Sequence, residues 1–235
     1  MELDLTTYAY QRLSELKGVR LFGPKGERGR EFCTVTVHGN GGRTIRALCE
    51  MDDSEVLRDV TASVDKDFRP EDVFVRLSVK DAFFGSSWFR FAGNRVECEG
   101  FTVNEGRISQ VMEFDRPPHS FVTHPVACDV WHFAGIDRTI GDRVQEHYGA
   151  SCSPLPNGAS GPMIGRTHHR FRYLGRETVE SPAGRFETEH VQFIKADGSV
   201  GLEAWCTLTD RVLVKMYFPI LDTHYNLMEL TGSKG

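Results

Sequence analysis

Apolar and polar residues alternate with a period of two along most of this chain, the pattern of strands with one buried face. Cys33, Val35 and Val37 alternate with Phe32, Thr34 and Thr36, and Gly39-Asn40-Gly41-Gly42 then reads as a hairpin turn. The pattern repeats from Ile45 to Met51, Val56 to Val64 and Val73 to Val79. Strands are further predicted over Ser86–Ala92, Arg95–Val103 and Arg107–Phe114. After a gap they resume over His168–Leu174, Arg185–Ile194, Gly201–Leu208, Val212–Phe218 and His224–Leu230. That makes about twelve strands, mostly joined by short Gly-, Asn- and Asp-rich turns.

Two segments break the pattern. Thr7 to Leu16 reads as a helix: Thr6 or Thr7 can cap it, Gly18 can end it, and Tyr10, Leu13 and Leu16 share a stripe. A Gly-rich linker follows, to about residue 30. Residues 116–165 hold most of the prolines and no clean period, and read as an irregular lid with a short helix near Cys128–Ala134. Hairpin order implies antiparallel pairing, and so many strands in one sheet curl until they close. The expected fold is all-β: one antiparallel, lipocalin-like β-barrel over residues 1–235, with an N-terminal helix in front and residues 116–165 across one end.

Composition narrows the partners. The 235 residues carry 28 Lys and Arg against 33 Asp and Glu, a formal charge of −5, so neither nucleic acid nor an anionic membrane is an expected partner. No apolar run approaches the roughly 20 residues of a membrane helix, and the polar, acidic start does not read as a signal peptide. A cytoplasmic location is expected. The six scattered cysteines, with no C-x-x-C pair, agree with free thiols.

Four stretches of the C-terminal part carry a resemblance. They are Tyr173-Leu174-Gly175-Arg176-Glu177, Pro182-Ala183-Gly184-Arg185-Phe186, Glu203-Ala204-Trp205 and Asp210-Arg211-Val212-Leu213-Val214-Lys215. Together they resemble the C-terminal half of uncharacterised bacterial β-barrel families of lipoprotein-carrier or lipocalin-like shape, and the resemblance covers the C-terminal quarter of this chain only. The resemblance implies a barrel. It implies no activity and no site, and Arg185 stands where Thr is usual.

The candidate chemistry is dispersed. His119, His124, Asp129 and His132 fall within fourteen positions, and Asp129 and His132 would share one face of a helix, where the carboxylate could orient the imidazole. Glu203 is a second acid–base candidate on a late strand, near His190. Trp88, Trp131, Tyr173, Trp205 and His169 could wall a pocket, with Arg76 or Arg90 holding an acidic group. That role for Trp88, Arg76 and Arg90 requires the charged face of the early strands to point inward. The opposite reading puts that face in water. A homodimer is left open, since an aliphatic face could lie under a partner subunit. No metal site is expected, because neither H-E-x-x-H nor finger-type Cys/His spacing is present, and adjacent His168 and His169 point to opposite strand faces. Phosphate-cradling glycine loops and the nucleophile elbow are missing too, so no cofactor is expected. Two functions remain. One is a cofactor-independent lyase, isomerase or cyclase acting on a small apolar, aromatic or isoprenoid molecule, with His132, Asp129, Glu203 and His124 as acid–base groups. The other is a non-catalytic barrel that binds or carries the same kind of molecule.

Overall fold

Fifteen strands form one continuous sheet in the computed structural model, which describes residues 4–14, 26–155 and 158–232. In chain order they are β1 (Asp4–Ser14), β2 (Glu27–Val37), β3 (Arg43–Met51), β4 (Val56–Val64), β5 (Pro70–Val79), β6 (Ala82–Ala92), β7 (Arg95–Thr102) and β8 (Gly106–Glu113). Then come β9 (Phe121–Val122), β10 (Val144–Ser151), β11 (Gly165–Ser181), β12 (Gly184–Ile194), β13 (Val200–Thr207), β14 (Leu213–Phe218) and β15 (Thr223–Thr231). The sheet runs from β8 down to β1, then from β15 down to β9, and every pair is antiparallel except β9 with β10. The first and last long strands therefore meet in mid-sheet, where Tyr8 pairs with Leu230.

The twelve predicted strands all appear, with ends moved by a few residues. The N-terminal helix does not. Residues 4–14 form β1, hydrogen-bonded to β2 on one side and β15 on the other. Tyr8 and Tyr10 are buried while Ala9 between them is half-buried, which is strand alternation. Ten paired positions with β2 outweigh a weak helical stripe, and the Thr and Tyr content already favoured a strand. The predicted end of that helix, at residues 15–18, lies outside the described residues.

The aliphatic face of the early strands points inward. Val35, Ile45, Val60, Val73, Val75, Phe89 and Val96 are all buried, and Arg46, Arg76, Trp88 and Arg90 on the opposite face are exposed. The reading in which those charged and aromatic residues line a lumen is thereby overturned.

The segment expected as an irregular lid is a large part of the core. It contains β9, β10 and a short helix α1 (Val126–Asp129), continued by a 3₁₀ helix over Val130–Gly135. Val126, Ala127, Cys128, Val130, Trp131 and Phe133 are all buried. Trp131 meets Phe68 edge-on at 5.9 Å, Phe133 meets Phe171 at 5.3 Å, and Phe121 meets Phe89 at 4.9 Å. The same segment bridges the unpaired edges of the sheet. Ser87 Oγ donates to the Pro162 carbonyl at 2.7 Å, Ile164 N–H donates to Gln110 Oε1 at 2.9 Å, and Arg166 donates to the Glu113 carbonyl. The barrel is completed by these contacts and not by a closed ladder. A bulge at Tyr173/Gly175, with Gly175 at φ +113°, bends the 17-residue β11 around it. All six cysteines are buried free thiols. No helix among the described residues is long and apolar enough to cross a membrane.

Candidate functional site

The inward-facing polar groups of the plug form one cluster. Asp129 ends α1 and His132 follows three residues later, with Oδ1 and Nε2 3.6 Å apart, an ion-pair distance longer than a hydrogen bond. His169 from β11 stacks on His132 with ring centres 5.7 Å apart. His147 from β10 lies 5.2 Å from His119 and packs edge-on against Phe171. Burial, reinforced by the neighbouring His119 and His132, pushes His147 down to about 4. Burial and His132 push His169 to about 3, with Asp129 opposing.

His124 belongs to a neighbouring group around Arg58, a fully buried guanidinium. Arg58 donates to Cys152 Sγ at 3.1 Å and to the Gly158 carbonyl, so it ties the loop after β10 to β4. Burial and the Arg58 charge lower His124 to about 4. Glu31 from β2 accepts the Val126 N–H at 2.8 Å and the Cys49 thiol at 3.3 Å, and so holds the start of α1. Burial pushes its carboxyl up to about 8 despite those bonds. On the other side of the plug, Arg138 binds Glu189 through two contacts of 2.5 Å, with Arg211 at 3.4 Å from the same carboxylate. Burial alone would raise Glu189, but the two guanidiniums leave it lowered.

Ser120, Thr123, Trp131 and His132 each present a buried polar atom without a hydrogen-bond partner among the described residues. They line a cavity of about 20 Å³, room for one water molecule and nothing larger. Among the described residues no three His, Cys, Asp or Glu side chains converge as a metal-ligand set.

Glu203 is not part of this cluster. It lies on the outer face of β13, opposite the buried Ala204 and Cys206. There its Oε2 is 2.9 Å from His190 Nε2, while Glu177 Oε1 is 2.9 Å from His190 Nδ1. Trp205 stacks on His190 at 4.3 Å and donates to Glu177 at 2.6 Å. The seven residues expected to bind substrate do not meet. Trp88, Arg76 and Arg90 are outside on β5 and β6, Trp205 is outside on β13, and Trp131 is core. His169 is in the imidazole cluster, and Tyr173 lies beneath the Arg138 guanidinium.

A larger concavity lies elsewhere. A cavity of about 420 Å³ opens at one end of the barrel, between the β1/β2 side and the β12–β14 side. Tyr8, Val35 and Val212 are its buried floor, and Phe186, Leu208 and Leu230 are apolar wall. Arg43, Arg185, Glu187 and Asp210 supply charge, with Arg43 3.5 Å from Asp210 and stacked at 4.3 Å over Phe68. Arg185 has no ionic partner among the described residues. The sequence reading missed this site because Tyr8 sat in the supposed helix. Asp210 entered only through the resemblance, with no role assigned to it.

The chain has a beta-barrel-like fold. A solved beta-barrel-like protein of the domain of unknown function DUF1849, from Brucella abortus, superimposes with a TM-score of 0.61, covering 99% of each chain at 12% identity. A DUF1089 family protein from Pseudomonas aeruginosa matches 89% of this chain and 97% of its own at 7% identity and a TM-score of 0.47. The first likeness runs over the whole chain, so it is not confined to the C-terminal quarter. At that identity it is a likeness of fold. No protein-family profile and no curated protein sequence matches the chain.

Proposed function

We propose that the protein is a non-catalytic binding barrel that holds a small molecule with an apolar body and a polar head in the end cavity. The observation that carries this reading is the cavity itself. Its 420 Å³ falls within the roughly 300–1,000 Å³ of small-molecule sites, and it combines apolar walls with a few charged groups. No imidazole lines it. The acid–base reading needs a substrate beside His132 or Glu203. His132 adjoins space for a single water, and Glu203 stands on the outer surface without a cavity. Arg43 and Arg185 can bond an acidic head, and Asp210 and Tyr8 a hydroxyl.

The test uses anilinonaphthalene sulfonate, which has apolar rings and one anionic group. Its fluorescence is titrated with the wild-type chain and with Leu208→Trp, which fills the cavity from its wall. Saturable one-to-one binding that weakens roughly tenfold or more in Leu208→Trp, about 1.4 kcal/mol, supports the site. Trp88→Glu, on the outer face, leaves that binding unchanged. Absence of saturable binding, or equal affinity in wild type and Leu208→Trp, refutes it.

A further inference from the structure

The two halves of the barrel differ on their outer surface. On the β12–β15 half the outward residues include His190, Glu203, Trp205, Lys215, Tyr217, His224 and Asn226. On the β2–β7 half they include Phe32, Leu57, Phe74, Phe83, Trp88 and Phe101, each between 38% and 49% exposed. Single exposed rings are ordinary, but two of these adjoin and the rest share the same face. Phe74 faces Trp88 across the β5–β6 pair, and the Arg76 guanidinium lies 5.2 Å over the Phe83 ring.

One row of this face has a telling order. Strand register sets Phe32 beside Leu48, Leu48 beside Asp59, Asp59 beside Arg76, Arg76 beside Ser86, and Ser86 beside Phe101. The row reads ring, Leu, acid, base, Ser, ring. We infer that the outer face of β2–β7 is the interface of a homodimer, with its two-fold axis parallel to the strands between β4 and β5. That rotation lays Phe32 over Phe101 at both ends and Asp59 over Arg76 twice in the centre. A two-fold interface must be self-complementary in this way.

Charge and area both favour a second copy. The face carries both signs: Arg90 pairs with Glu97 at 3.3 Å and Arg107 with Glu99 at 3.8 Å, around the Asp59/Arg76 centre. A polyanion or an anionic bilayer needs one sign. Five rings and a leucine at these exposures present roughly 500 Å² of apolar surface, given the 150–250 Å² of an aromatic side chain. A standard dimer interface buries about 800 Å² per partner, about 65% of it apolar in homodimers, which is the same amount.

Sedimentation velocity of the full chain, from about 1 to about 100 µM, tests this. The wild type is expected to sediment at twice the chain mass at the upper end. Phe32→Glu and Phe101→Glu each weaken association roughly tenfold or more. Both side chains are exposed, so an unchanged thermal midpoint at a concentration where both proteins are monomeric certifies the fold. Asp59→Arg and Arg76→Asp each weaken the dimer, and the double swap restores it, because the two-fold axis exchanges the partners. A chain that stays monomeric at about 100 µM overturns the inference. So does a dimer indifferent to Phe101→Glu, or a double swap that fails to restore association. A monomer that binds phosphatidylcholine vesicles through Trp88 would make the face a membrane contact and overturn it too.

Discussion

Lowering the pH from about 6.5 to about 4.5 is expected to cost this protein about 4 kcal/mol of stability. Burial holds His124 and His147 at about 4 and His169 at about 3, below the ordinary 6.5. All three are neutral in the fold. The unfolded chain protonates them as the pH falls through 6.5, so it binds more protons and stability declines down to about 4. Glu31 acts in the opposite sense. Held at about 8 instead of 4.5, it stays protonated in the fold and ionises in the unfolded chain. Its penalty is present at neutral pH and fades as the pH falls from 8 to 4.5. Near pH 7 the two effects nearly cancel. Below 6.5 three imidazoles oppose one carboxyl, a net difference averaging about one and a half protons, at 1.36 kcal/mol per proton per pH unit. Urea unfolding followed by circular dichroism at a series of pH values measures it. With a urea slope of about 2 kcal/mol/M, the midpoint should fall by about 2 M across that window. His169→Phe should remove about one proton from the slope. A midpoint that stays within about 0.3 M from pH 6.5 to 4.5 would refute the reasoning.

Three further outcomes follow from the interior. Glu189→Gln leaves the buried Arg211 and the half-buried Arg138 against a neutral amide and should cost about 3 kcal/mol in urea unfolding; a loss under about 1 kcal/mol would show the ion group to be hydrated. Arg58→Met removes the charge that helps depress His124, so the His124 imidazole should titrate closer to 6.5 by NMR; no movement would leave burial as the sole cause. His132→Ala should lower stability yet leave binding of anilinonaphthalene sulfonate within about twofold, since His132 is absent from the cavity wall; a large loss of affinity would return the site to the imidazole cluster.

Much of the architecture was legible along the chain because strand periodicity is local. Val73, Val75 and Leu77 announce a buried face whatever surrounds them, and Gly39–Gly42 announces a hairpin. The inward direction of the aliphatic face follows from the same pattern, since burying Val and Ile is favourable and burying Arg46, Arg76 and Arg90 is costly. Three strands were not legible. β1 borrowed its conformation from two neighbours more than 200 and about 25 residues away in sequence, where local propensity is silent. β9 is two residues long, and β10 carries His147 and Tyr148 in no clean alternation.

The adjacency of Asp129 and His132 was also readable, because a helical turn places residues three apart on one side. Their surroundings were not. Whether that pair faced a substrate or a core depended on where residues 116–165 went, and only the packing of Trp131 on Phe68 and Phe133 on Phe171 decided it. Glu203 and His132 were both read as acid–base groups, but β13 turns Glu203 to the outer face while His132 sits buried on the 3₁₀ helix that follows α1. The cavity needed Tyr8, Arg43, Phe186 and Asp210 to meet from four separate parts of the chain. Periodicity determines which face of a strand is buried; only the rolling of the sheet determines what that face encloses.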